Sequence, residues 1–128
     1  MQWKGVMPAI TTGFKKDLKP DGSHIARHVN WLVDNGCTGI VANGTLGEAT
    51  SLSFDEKIQV LQTCIEAVGS RVPVVSGIGA MTTAQAVALA QKAASVGCSG
   101  LMVLPPYLYS TDWREMKAHV AAVVCADD

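Results

Sequence analysis

Cys37 and Cys98 are 61 residues apart, and so are Cys64 and Cys125. Around the first pair the sequence itself repeats. Asn35-Gly36-Cys37-Thr38-Gly39-Ile40-Val41 is echoed by Val96-Gly97-Cys98-Ser99-Gly100-Leu101-Met102-Val103. One offset shared by two separate places points to an internal duplication, and a repeated strand–helix unit narrows the choice of folds sharply.

The local patterns fill in that unit. Strand signals fall at 5–10, 38–42, 72–76 and 100–104 as continuous apolar runs rather than alternating ones, the pattern of strands covered on both faces. Between them apolar residues recur at helical spacing. Asp21 is placed to cap a helix carrying Ile25, Val29, Leu32 and Val33, which Gly36 ends. Ser53-Phe54-Asp55-Glu56 reads as a capping box before Ile58, Leu61 and Ile65, with Gly69 as the stop. Thr82 opens a third helix that ends at Gly97, and Thr111 with Asp112 opens a fourth through Met116, Val120 and Val124. Four successive βα units imply a parallel sheet with right-handed crossovers. Advancing the third strand by the repeat puts its counterpart past residue 128. An open four-stranded α/β sheet fits that length, and so does half of an eight-stranded barrel, which takes about 250 residues.

Composition narrows the partners. A hydrophobic content of 48% and a net charge of −1 suit one globular domain. Ten basic and eleven acidic residues form no basic stripe, so neither nucleic acid nor an anionic membrane is expected as a partner. The N-terminal apolar stretch is broken by Pro8 and Gly13 and closed by Lys15-Lys16, unlike a signal peptide, and no run reaches membrane-spanning length. The four cysteines lack a Cys-x-x-Cys pattern and read as reduced, mostly buried thiols of a cytoplasmic protein.

Chemistry concentrates in Val41-Ala42-Asn43-Gly44-Thr45-Leu46-Gly47-Glu48, where a strand gives way to a helix. Gly44 and Gly47 let backbone N–H groups turn inward, and Thr45 adds a hydroxyl, a nest suited to a carboxylate or phosphate. Glycines after a strand also make simple turns, and this segment alone leaves both readings open. Gly77-Ile78-Gly79 lacks the third glycine and downstream acid of a dinucleotide loop and is expected to serve close backbone packing. His24 and His28 read as a wet helix face, Glu48 as an acceptor for backbone N–H groups, and Trp3, Trp31 and Trp113 as packing residues.

Taken in order, these segments resemble the N-terminal half of the dihydrodipicolinate synthase / N-acetylneuraminate lyase family of class I aldolases. Gly5-Val6-Met7-Pro8-Ala9-Ile10-Thr11-Thr12 is similar to the family's first strand, and Gly44-Thr45-Leu46-Gly47-Glu48 to its substrate-binding loop. Leu52-Ser53 and Glu56 follow that loop as in the family; Pro73–Ala80 resembles its third strand, and Pro105-Pro106-Tyr107 the loop after its fourth. The resemblance implies a (β/α)8 TIM-barrel fold of which residues 1–128 hold the first four βα units. It further implies a 2-keto acid ligand, usually pyruvate, captured as a lysine imine without a cofactor, and an oligomeric protein. Gly44, Thr45, Leu46 and Gly47 would bind the carboxylate. Thr45 and Tyr107 would be catalytic, Thr45 in a proton relay with tyrosines.

Two residues depart from the family pattern. Leu46 stands where a second threonine normally helps hold the carboxylate; a lost hydrogen bond to a charged group costs about 1.5–3 kcal/mol. Leu108 stands where a relay tyrosine is common, flanked by Tyr107 and Tyr109. Tyr107 is read equally as lining the site or packing at an interface. Both departures favour a 2-keto acid other than those of the synthase or the sialic acid lyase. The family's imine-forming lysine and Tyr-Asn-x-Pro segment lie on its sixth and fifth strands, past residue 128. The lysines here are Lys4, Lys15, Lys16, Lys19, Lys57, Lys92 and Lys117, and those at 57, 92 and 117 are expected to be solvated on helices. The 128-residue chain by itself is therefore expected to be inactive and to self-associate through bare strand edges. A flavodoxin-like anion-binding module and a truncated gene product are the alternatives.

Overall fold

A computed structural model describes residues 3–106 and 112–127. Within them the order is α1 (Gly22–Asp34), β1 (Ile40–Ala42), α2 (Phe54–Val68), β2 (Val74–Ile78), α3 (Thr83–Ser95), β3 (Gly100–Val103) and α4 (Trp113–Val124), with 3-10 turns at Ala49–Ser51 and Cys125–Asp127. The strands pair in parallel in chain order, Ile40 opposite Val74 and Ile78 opposite Val103. Ile40 on β1 and its repeat counterpart Leu101 on β3 lie on either side of the central strand, opposite Val74 and Ser76.

The expected first strand is only partly realised. Residues 5–10 run parallel to β1 but form a single bridge, Ala9 to Val41. The Ile10 N–H donates to the Val41 carbonyl at 2.9 Å, and the Val41 N–H donates to the Pro8 carbonyl at 2.9 Å. Proline has no N–H to give, and Gly5 adopts a left-handed φ of +84°, so a regular ladder cannot extend through both. Position is kept while regularity is lost.

Helix termini follow the sequence closely. Asp21 accepts from the His24 N–H, and Thr82 accepts from the Gln85 N–H. The capping box is complete: the Ser53 N–H donates to Glu56 Oε2 at 2.9 Å and the Glu56 N–H donates to Ser53 Oγ at 3.3 Å. At α4 the cap is Asp112, which accepts from the Arg114 and Glu115 N–H groups; Thr111 lies outside the described residues. Glycine ends these helices where a positive φ is needed, at Gly36 (+93°) and Gly97 (+102°).

Ile40 and Ala42 of β1, Val74 and Ile78 of β2, Leu61 and Cys64 of α2, and Ala86, Leu89, Ala90 and Ala93 of α3 form the core between sheet and helices. α1 packs on α2 and α3 on α4, as strands in sequential order with crossovers of one hand require. A flavodoxin-like sheet reverses its strand order part-way. Among the described strands the order does not reverse, unlike that of a flavodoxin-like sheet. The opposite sheet face is open, where Met7, Val41, Val75, Leu101 and Met102 line an apolar surface, and β3 is half-exposed at all four positions.

Some expected burial is not found. Trp3, Trp31 and Trp113 are 66%, 61% and 71% exposed, so none of them packs in the core. Cys64 is buried, Cys37 and Cys98 are half-buried and Cys125 is exposed; all four are free thiols. Burial, with Cys98 beside it, pushes the Cys64 thiol up to about 12, and burial pushes Cys98 to about 11. Both are therefore unreactive near neutral pH. No described helix is long and apolar enough to cross a membrane.

The backbone N–H and hydroxyl of Ser53 hold the exposed Glu56 carboxyl below its usual value. The capping contribution is present above the ordinary carboxylate range and is lost as pH falls through the lowered value. Ser53→Ala is expected to cost about 1 kcal/mol in urea unfolding at pH 7. Glu56→Gln should flatten the stability profile below pH 5, and an unchanged acid limb would refute the capping role.

Candidate functional site

The segment from Asn43 to Glu48 leaves the C-terminal end of β1 and is held from three sides. Asn43 takes a left-handed φ of +58°, a conformation that asparagine tolerates better than most side chains. It is 1% exposed, and its Nδ2 donates to the Lys57 carbonyl on α2 at 3.0 Å. On the sheet side a Cβ at Gly77 would stand 2.3 Å from the Asn43 carbonyl oxygen and 3.0 Å from the Gly44 nitrogen, so only glycine lets β2 approach. This is the close backbone packing expected of Gly77. On the third side the buried Thr12 hydroxyl donates to the Gly47 carbonyl at 2.7 Å. A Cβ at Gly47 would lie 3.1 Å from the Ile10 carbonyl oxygen.

Inside the loop the Gly47 and Ala49 N–H groups donate to the Gly44 carbonyl, and the Glu48 N–H donates to the Thr45 carbonyl. The N–H groups of Thr45 and Leu46 have no acceptor among the described residues. Gly44 and Gly47 are buried, while Thr45 and Leu46 are exposed, Leu46 by 66%. Two free donors and the Thr45 hydroxyl thus occupy one turn at the C-terminal end of a parallel strand. The neighbouring wall is apolar, with Met102 Cε 3.4 Å and Ala9 Cβ 3.9 Å from where a Gly44 Cβ would stand. The arrangement can hold a small anion through backbone dipoles without a cationic side chain. The other expected catalytic group, Tyr107, lies outside the described residues, as do Leu108 and Tyr109.

Two expectations change. Glu48 is exposed at φ +55°, and its side chain makes no capping hydrogen bond to the 3-10 turn that it precedes. The backbone of the turn, not the carboxylate, takes up the available bonds. Lys57 is not simply solvated. It is half-buried against a cavity of about 460 Å³ lined by Leu52, Phe54, Gly79, Met81 and Gln85 among others, and desolvation holds its ammonium below the ordinary lysine value. That cavity is not lined by Gly44–Gly47, so the glycine loop and the lysine are separate features. His24 and His28 have ring centroids 6.2 Å apart, and no group of three or more potential metal ligands occurs among the described residues.

Thr12 and Asn43 hold the loop in ways that sequence reasoning did not single out. An asparagine directly before a glycine at a strand end was the available signal, since that residue type favours left-handed turns.

The model of the Dihydrodipicolinate synthetase family matches residues 2–128. The chain belongs to that family. It is 41% identical over 123 residues to the 4-hydroxy-tetrahydrodipicolinate synthase of Mycolicibacterium paratuberculosis, covering 96% of this chain and 41% of that protein. Among solved structures it superposes with a TM-score of 0.93 at 31% identity on a chloride-inhibited dihydrodipicolinate synthase from Acinetobacter baumannii complexed with pyruvate, covering 98% of this chain and 43% of that one. The N-acetylneuraminate lyase of Mycoplasma synoviae gives 0.89 at 30% identity, with 97% and 43% covered. The chain spans about two fifths of the length of the relatives it matches. Its sequential parallel sheet with helices on one face is the first half of their (β/α)8 barrel.

Gly77→Ala should destabilise the chain by about 1–3 kcal/mol, because backbone rather than a side-chain tip must move. Thr12→Val should cost about 1–3 kcal/mol by leaving the Gly47 carbonyl unpaired. Denaturant unfolding measures both. Loss of under 0.5 kcal/mol in each would show that the loop is not held as described.

Proposed function

We propose that the chain supplies the carboxylate-binding part of a lyase or aldolase that acts on a 2-keto acid through a lysine imine. The observation that carries this reading is the pair of free N–H groups at Thr45 and Leu46, in a loop shaped by Gly44 and Gly47 at a strand's C-terminal end. Functional loops of barrels of this kind lie on that face. Family membership and a relative complexed with pyruvate supply the ligand class.

In this reading the keto acid's carboxylate accepts from the Thr45 and Leu46 N–H groups. That fixes its carbonyl for attack by an amine, and the Thr45 hydroxyl passes protons during imine formation, with Tyr107 as a further group of the relay. An imine serves as an electron sink, so a bond β to it can form or break. The amine is assigned to a lysine outside these 128 residues. Lys57 lines a different cavity, and none of the remaining lysines lies between Gly44 and Gly47 or on β1, β2 or β3. Residues 1–128 are thus the N-terminal half of a barrel domain, working in the cytoplasm. The half-exposed β3 edge and the open apolar sheet face favour association with further copies or with a complementary half.

Two measurements test this. Pyruvate should bind the 128-residue chain reversibly, and borohydride treatment with pyruvate should leave its intact mass unchanged. A stable adduct would overturn the assignment of the amine. Size-exclusion chromatography with light scattering should give species larger than one chain, and a monodisperse monomer would overturn the association.

A further inference from the structure

Leu46 is a large apolar side chain left 66% exposed between Thr45, whose N–H is free, and Gly47. Among the described residues, those around the loop offer little to a polar ligand chain. Met102 and Ala9 present methyl groups beside Gly44, the Thr45 hydroxyl is the turn's neutral polar side chain, and Glu48 is its only charge. No lysine, arginine or histidine occurs from Asn43 through Asp55. A second carboxylate on the ligand would meet the Glu48 charge with no cation from this segment to offset it.

We infer that this loop selects a 2-keto acid with an aliphatic chain longer than that of pyruvate, and that Leu46 is the specificity-determining residue that covers the chain. The inference rests on the keto-acid reading above. The backbone N–H groups hold the carboxylate whatever the chain, so that contribution is common to all 2-keto acids. Discrimination then comes from apolar contact, worth about fourfold in affinity per fully buried methylene.

Saturation-transfer NMR on the whole 128-residue chain gives dissociation constants whatever its association state. The probes are pyruvate, 4-methyl-2-oxopentanoate and 2-oxoglutarate. The branched acid should bind about tenfold more tightly than pyruvate, and 2-oxoglutarate more weakly than either. Leu46→Thr and Leu46→Asn should reduce the branched-over-pyruvate preference to about twofold or less, with circular dichroism confirming that both variants fold. Equal affinity for pyruvate and the branched acid in the unsubstituted chain would overturn the inference, as would a preference that survives both substitutions. Failure of all three acids to bind would overturn the keto-acid reading itself, and the inference with it.

Discussion

The approach of β2 to the turn after β1 governs the site. At Gly77 two stretches of backbone come within the space of a missing methyl group, with the Asn43 carbonyl pressed against the Gly77 Cα. Because close-packed interiors give little, that contact fixes the height of the turn above the sheet. Asn43 then ties it to α2 through the Lys57 carbonyl, and Thr12 ties it to the N-terminal segment through the Gly47 carbonyl. Three elements far apart in sequence converge on six residues. The two free N–H groups are held by the scaffold in place before any ligand arrives, which is what electrostatic recognition by backbone dipoles requires.

The same scaffold is one-sided. Crossovers of a single hand put every helix on one face and leave the other to apolar side chains such as Val41, Val75 and Met102. In a closed barrel that face would be filled by layers of side chains from all eight strands. Alanines at positions 86, 90 and 93 bring α3 close to the sheet, so the helix-facing core is dense while the inner face is open. The turn at the C-terminal end of β1 therefore adjoins the open inner face, with Met102 beside both.

Lys57 shows how sequence position and environment separate. On a helix three residues from an exposed phenylalanine, it has the look of a solvated side chain. Folding brings Gly79 and Met81, from the loop after β2, to the same cavity, and burial strips water from the ammonium. The three tryptophans show the converse, being large and apolar yet left at the surface. Neither outcome follows from residue type, because each depends on what a distant element places next to the side chain.

Helix starts were legible one residue at a time, because a cap is a contact within three or four positions: Asp21, the Ser53–Glu56 pair and Thr82 each perform the hydrogen bond that their spacing foretold. The 61-residue repeat and the apolar runs likewise determined a parallel strand–helix alternation, and Gly44 and Gly47 marked the turn that follows β1. Tertiary structure alone decided whether residues 5–10 form a true strand, since Pro8 and Gly5 leave a single bridge. It alone also decided which strand order arises, that the backbone packed against Gly77 is that of Asn43, and that the Glu48 side chain makes no capping hydrogen bond. Local hydrogen bonding is written in neighbouring residues, whereas the spacing between backbones is set by partners dozens of positions away.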